Sequence, residues 1–131
     1  IPEVLFDQVM PDGCYTSYLG RGKTYPECGF VGYDLNHPAH DEFMTFWQQL
    51  YLDDSLFELP EWHDGFVYDL IRRTFENQGK FKSHNIAADV KLSGHPFINS
   101  VLGNFMDHLK GDERKEAGKS FAEDYIKTSS D

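Results

Sequence analysis

The chain has 131 residues, 40% of them apolar, which suits one domain with a real core and argues against wholesale disorder. A formal net charge of −10 argues against a nonspecific nucleic-acid binder, which needs a basic face, and against docking on an anionic membrane. No apolar run approaches the length of a membrane-spanning helix, so membrane insertion is not expected.

Residues 1–13 read as irregular, interrupted by Pro2 and Pro11 and closing on an Asp12-Gly13 turn. Cys14 to Leu19 alternates and is rich in Tyr and Thr, the pattern of a short strand. After the basic loop Gly20-Arg21-Gly22-Lys23, the run Cys28 to Leu35 reads as a second strand, whose glycines permit close backbone approach. Cys14 and Cys28 are expected to be free thiols in a reducing cytoplasm; the alternative, a disulfide, fits an exported chain.

Asn36-His37-Pro38 is a helix-start signal for a helix over 38–52. Phe43, Phe46, Trp47, Leu50 and Tyr51 recur there at helical spacing and mark one apolar face. A turn at Asp53-Asp54-Ser55 follows. A second helix is expected over 61–77, burying Trp62, Phe66, Leu70, Ile71 and Phe75 and ending at Gly79. Asp69 and Arg73 are spaced to pair along it. Residues 78–95 read as a long polar loop, Ser100 to Leu109 is open between helix and strand, and 110–131 form a charged tail that frays. The expected architecture is α+β or α/β, a small sheet from about 14–35 plus a later strand, packed by the two amphipathic helices.

Three groups carry candidate chemistry. Glu61-Trp62-His63-Asp64 places two carboxylates and an imidazole at a helix start, where they either cap the helix or orient a ligand. The functional reading adds Tyr68, one turn from Asp64, on the same exposed face. Asp107-His108 offers a metal-ligating imidazole beside an acid, although no second histidine stands at ligand spacing. Gly94-His95-Pro96 either makes a plain turn or holds His95 and Asn99 over a pocket. The sequence contains no phosphate-binding P-loop, no dinucleotide glycine fingerprint and no nucleophile elbow.

Tyr25-Pro26-Glu27-Cys28-Gly29-Phe30-Val31-Gly32-Tyr33, Leu59-Pro60-Glu61-Trp62-His63-Asp64, His95-Pro96-Phe97-Ile98-Asn99-Ser100 and Asp107-His108-Leu109-Lys110-Gly111 followed by Arg114-Lys115 stand in an order that carries a likeness. Over residues 14–120 the chain resembles uncharacterised glycosyltransferase-like proteins of marine bacteria and their tailed phages. More distantly it resembles the C-terminal half of an A-type-fold nucleotide-sugar glycosyltransferase. That resemblance implies an acceptor-side role for Glu27, donor-sugar contacts and catalysis from Glu61 and Asp64 with His63 beside them, a metal-ligating His108, and diphosphate contacts from Arg114 and Lys115. It implies a divalent metal, manganese or magnesium, a nucleotide-sugar donor and a glycan acceptor. The N-terminal nucleotide-binding units and Asp-x-Asp motif of that fold are missing. The chain, which begins at Ile1, is then expected to be the C-terminal portion of a longer enzyme, inactive alone.

The leading expectation is therefore an incomplete glycosyltransferase-like domain that uses metal and basic residues to stabilise the leaving diphosphate. The alternative is a non-enzymatic acidic binding module of bacterial or phage origin, which the charge and the abundant aromatics fit. A small metal-dependent hydrolase built from the same histidines and acids is a third reading.

Overall fold

A computed structural model describes residues 3–22, 24–88 and 95–106. The fold is α+β, built on a small mixed sheet. Its centre is β1 (Cys14–Leu19), paired antiparallel with β2 (Glu27–Tyr33) and parallel with β3 (Lys82–Asn85). A parallel neighbour demands a crossover, and two helices supply it: α2 (His40–Leu52) and α3 (Asp64–Asn77). A single 3₁₀ turn over Ser55–Glu58 joins them.

Strand β1 forms over the residues its alternation predicts, and β2 runs Glu27–Tyr33, beginning one residue before and ending two residues short of the expected Cys28 to Leu35. The polar stretch 78–95 corrects the expectation of a loop, because its Lys82–Asn85 segment is the later strand of the sheet. That strand has no β-branched residue and pairs on one side only, so nothing in its composition marks it. The irregular start is likewise corrected: Glu3–Val9 is α1, a helix that buries Leu5 and Val9. Beyond residue 95 lie α4 (Pro96–Asn99) and a 3₁₀ turn, Val101–Asn104.

Two apolar clusters hold the sheet. Tyr15, Phe43, Val67, Tyr68, Ile71, Phe75 and Phe81 join β1 to α2 and α3. Leu5, Val9, Leu19, Phe97, Ile98 and Leu102 join β1 to α1, α4 and the last 3₁₀ turn. The first cluster is mainly aromatic: Phe43 meets Tyr15 at 5.4 Å and Phe75 at 5.4 Å between ring centroids, in the edge-to-face geometry that ring quadrupoles favour. Opposite β3, β1 carries one extra residue between Cys14 and Thr16. Such a bulge breaks strict alternation, and Tyr15 joins Tyr18 on the helix side.

Both helices start later than expected. Helix α2 begins at His40 behind Ala39, because His37 closes a turn by accepting from the Ala39 N–H at 3.0 Å through Nδ1. Of its expected apolar face Phe43 is buried and Trp47 and Leu50 pack partly, whereas Phe46 and Tyr51 are exposed. Helix α3 is turned by about one position from the expected face. It buries Val67, Tyr68, Ile71, Arg72 and Phe75 and leaves Trp62 and Leu70 exposed. Its end is as expected: Gly79 sits at φ +71°, its N–H reaches Glu76 O, and the Lys80 N–H reaches Phe75 O. That pair of bonds satisfies carbonyls the helix leaves open.

Turning the helix puts Arg72 inside. Its guanidinium bonds Asp69 Oδ1 at 2.7 Å and Glu76 Oε2 at 2.8 Å and lies 4.1 Å above the Tyr18 ring. Asp69 also takes Arg73 Nε at 3.0 Å, the pairing read from the sequence. Beside it, Thr16 Oγ1 donates to Gly32 O at 2.8 Å, which leaves its lone pair for the Tyr68 hydroxyl at 2.7 Å. The result is a relay from α3 through β1 to β2.

Arg72→Met would remove the guanidinium, take away Glu76's partner and leave Asp69 with Arg73 alone. The expected loss is about 3 kcal/mol, read from denaturant melts; an unchanged midpoint would refute a stabilising role. A second prediction concerns alkaline pH. Burial holds the hydroxyls of Tyr15, Tyr18, Tyr33 and Tyr68 above the ordinary tyrosine range. Groups raised in the folded state contribute stability that is complete below their unfolded pKa and is lost as pH rises through the folded one. The folded chain is therefore expected to weaken above about pH 10. These phenolates should form together with unfolding in an absorbance titration followed by circular dichroism, and ionisation of all seven tyrosines near pH 10 in a still-folded chain would contradict this.

Candidate functional site

The segment between α2 and α3 is held from both ends. Asp54 adopts φ +61°, a left-handed conformation that Asp tolerates better than most residues, and turns the chain out of α2. Asp53 Oδ1 accepts from the Ser55 N–H at 2.9 Å, and the Ser55 bonds hold the Asp53 carboxyl below the usual range. Further on, His63 is the N-cap of α3: its Nδ1 accepts from the Phe66 N–H at 3.3 Å. Its Nε2 lies 3.2 Å from Glu61 Oε2. Asp64 Oδ1 accepts from the Gly65 N–H at 2.8 Å. A carboxylate in that first turn also complements the helix dipole.

Gly65 explains why this turn lies where it does. A Cβ there would meet Pro26 O at 3.1 Å and the Tyr25 ring at 3.1 Å. With no side chain, α3 seats directly on the loop that joins β1 to β2. The Tyr25 ring packs edge-on to His63 at 4.3 Å between centroids.

Glu27 stands at the start of β2. Its Oε1 accepts from the Gly29 N–H at 3.0 Å, and its Oε2 lies 3.5 Å from His95 Nε2 and 3.9 Å from Arg21 Nη2. His95 in turn caps α4 by accepting from the Phe97 N–H at 3.2 Å. Cys28 beside Glu27 is a free thiol, as is Cys14. Burial, then the carboxylates of Asp64 and Glu27, push the Cys28 thiol up to about 11 against the opposing pull of Arg21. At neutral pH it is protonated and is no nucleophile.

Of the residues singled out from the sequence, Glu61, His63 and Asp64 meet at the start of α3 beside the β1–β2 loop, whereas Glu27 is paired with Arg21 and lies beside His95 at α4. His108, Arg114 and Lys115 lie outside the described residues. Tyr68 does not share an exposed face with Asp64: its ring is fully buried and its hydroxyl is spent on Thr16. His95 and Asn99 serve α4, with Asn99 Nδ2 donating to His95 O at 2.9 Å. Among the described residues no three His, Cys, Asp or Glu side chains come close enough together to hold a metal ion. An open groove of 380 Å³ runs between Tyr25 and α3, with Glu61, Phe66, Asp69 and Arg73 along its walls.

Trp62 departs most from the sequence reading. It is 54% exposed, with its Nε1–H donating to Leu59 O at 3.1 Å and its ring edge-on to Phe57 at 5.0 Å. Phe57 is itself 60% exposed. The overlooked signal is charge: residues 24–71 hold ten carboxylates and no lysine or arginine. Seven of the ten large apolar side chains exposed among the described residues fall in that same span. Comparisons with protein-family models, curated proteins and solved structures find no match to this chain.

The cap geometry carries a prediction. His63→Ala should lower stability by about 1 kcal/mol in thermal or denaturant melts, whereas His63→Asn, which retains a capping acceptor, should stay within a few tenths. Equal loss from both variants would show that the ring's packing on Tyr25, and not the cap, is what matters.

Proposed function

We propose that this chain is a non-enzymatic binding module whose working surface is the acidic, aromatic segment from Tyr51 to Asp64. One contrast carries the reading. His63 and Asp64 are engaged with backbone N–H groups at the start of α3, while Phe57 and Trp62 stand outward in a fixed pair. Residues that hold a helix start are poorly placed to shuttle protons or grip a substrate. An exposed indole anchored by its own N–H loses little freedom when a partner covers it.

A second reading, metal-assisted sugar transfer from a nucleotide-sugar donor, draws on Glu61, His63 and Asp64 at the start of α3, with Glu27 on β2. His108, Arg114 and Lys115 would complete it as metal and phosphate groups. The two readings separate in one assay: the full chain is incubated with nucleotide-sugar donors, manganese and glycan acceptors, and free nucleoside diphosphate is followed. The binding reading expects none above background, and Asp64→Asn changes only stability. Turnover that Asp64→Asn abolishes would establish the transferase.

A further inference from the structure

We infer that the partner of this surface is a cationic polypeptide that presents arginine or lysine beside apolar anchors. The inference rests on the binding-module reading and names the chemistry of its occupant. The surface is the unpartnered aromatic face made by the last turn of α2, the 3₁₀ turn and the extended segment before α3. Phe57 and Trp62 are its fixed centre, and Leu52, at 70% exposure, extends it in sequence.

Charge complementarity selects the occupant. Asp53, Asp54, Glu58, Glu61 and Asp64 alternate with these apolar groups, and each is exposed. The basic residues that follow them, Arg72 and Arg73, are both paired with Asp69, and Arg72 with Glu76 as well. Of the ten carboxylates in residues 24–71, Glu27 is paired with Arg21, Glu42 with Lys80, and Asp69 with Arg72 and Arg73. Asp53, Asp54, Glu58, Glu61 and Asp64 instead lie together on the exposed segment, where like charges repel one another. A neutral sugar stacked on Trp62 would donate hydroxyl hydrogen bonds to the carboxylates but leave their charge in place. A nucleic acid would add to it. A basic chain relieves it: a guanidinium can lie over the indole face and reach a carboxylate at its edge, while its apolar neighbours cover Phe57. Obligatory contact with both kinds of group is what separates this from loose attraction to an acidic protein.

The full chain, labelled with ¹⁵N, is titrated with four probes: an amphipathic peptide of arginine and leucine, the same peptide with glutamate for arginine, an arginine–serine peptide without apolar residues, and a neutral oligosaccharide. The indole N–H signal of Trp62 is read. The arginine–leucine peptide should shift it, bind about tenfold more tightly than the arginine–serine peptide, and weaken steeply with salt. Trp62→Ala should cost about tenfold in affinity, and Glu58→Gln should flatten the salt dependence without moving the melting midpoint. Both positions are exposed, so loss of folding does not confound them. A shift at Trp62 with the oligosaccharide or the glutamate peptide alone overturns the cationic partner while leaving the surface reading standing. Peptide binding that Trp62→Ala leaves unchanged, or no shift with any probe, overturns this inference together with the choice of surface.

Discussion

The fold depends on the burial of β1. Tyr15, Thr16, Ser17 and Leu19 are closed to solvent, so the strand's backbone groups must find partners within the protein on both edges. The antiparallel edge needs only the β1–β2 loop. The parallel edge needs a crossover, and that requirement places α2 and α3 over one side of the sheet. The other side is then closed by α1, α4 and the last 3₁₀ turn. With β1 satisfied on both edges, the ends of α2 and α3 have little latitude, and the segment between them is presented at the surface.

Arg72, Thr16 and Tyr68 are held inside that framework by directed contacts, while the buried hydroxyls of Ser17 and Ser83 find no hydrogen-bond partner among the described residues. Arg72 would be costly to bury alone, but two carboxylates and the Tyr18 ring surround it. Thr16 donates to the carbonyl of Gly32 and accepts from the hydroxyl of Tyr68, which links α3 to β2 through β1. Helix α3 is therefore bound to the sheet by directed contacts as well as by rings. At its far end, Lys80 and Glu42 tie it to the start of α2. Its near end is seated by Gly65 on Pro26. A helix fixed at both ends and in the middle makes a firm support for the exposed Phe57–Trp62 pair.

What the sequence revealed tracks how local each cause was. The first two strands follow from alternation, and the two long helices from spacing, Gly79 and the pairing of Asp69 with Arg73. The rotation of α3 did not follow, because apolar residues line it on two sides. Trp62, Phe66 and Leu70 compose one stripe, and Val67, Ile71 and Phe75 another; a buried arginine beside the second hides it from a hydrophobicity reading. Strand β3 is written in Lys, Ser, His and Asn, and only its neighbour makes it a strand. At the site, Glu61, His63 and Asp64 are close in sequence and were found together. That Glu27 turns instead to Arg21 and His95 depends on how β2 packs against α4, which no single segment encodes.

The histidine caps have a consequence for coordination chemistry. His37, His63 and His95 each accept a backbone N–H through Nδ1. An imidazole that accepts at Nδ1 carries its proton at Nε2, so it offers the outside a donor and no free lone pair. His63 spends that donor on Glu61. For a metal ion to bind at Nε2 the proton must leave, and relocating it to Nδ1 would set a donor against the Phe66 N–H. At these three rings, metal ligation through Nε2 in the neutral state and the helix or turn start compete for one proton, and each excludes the other.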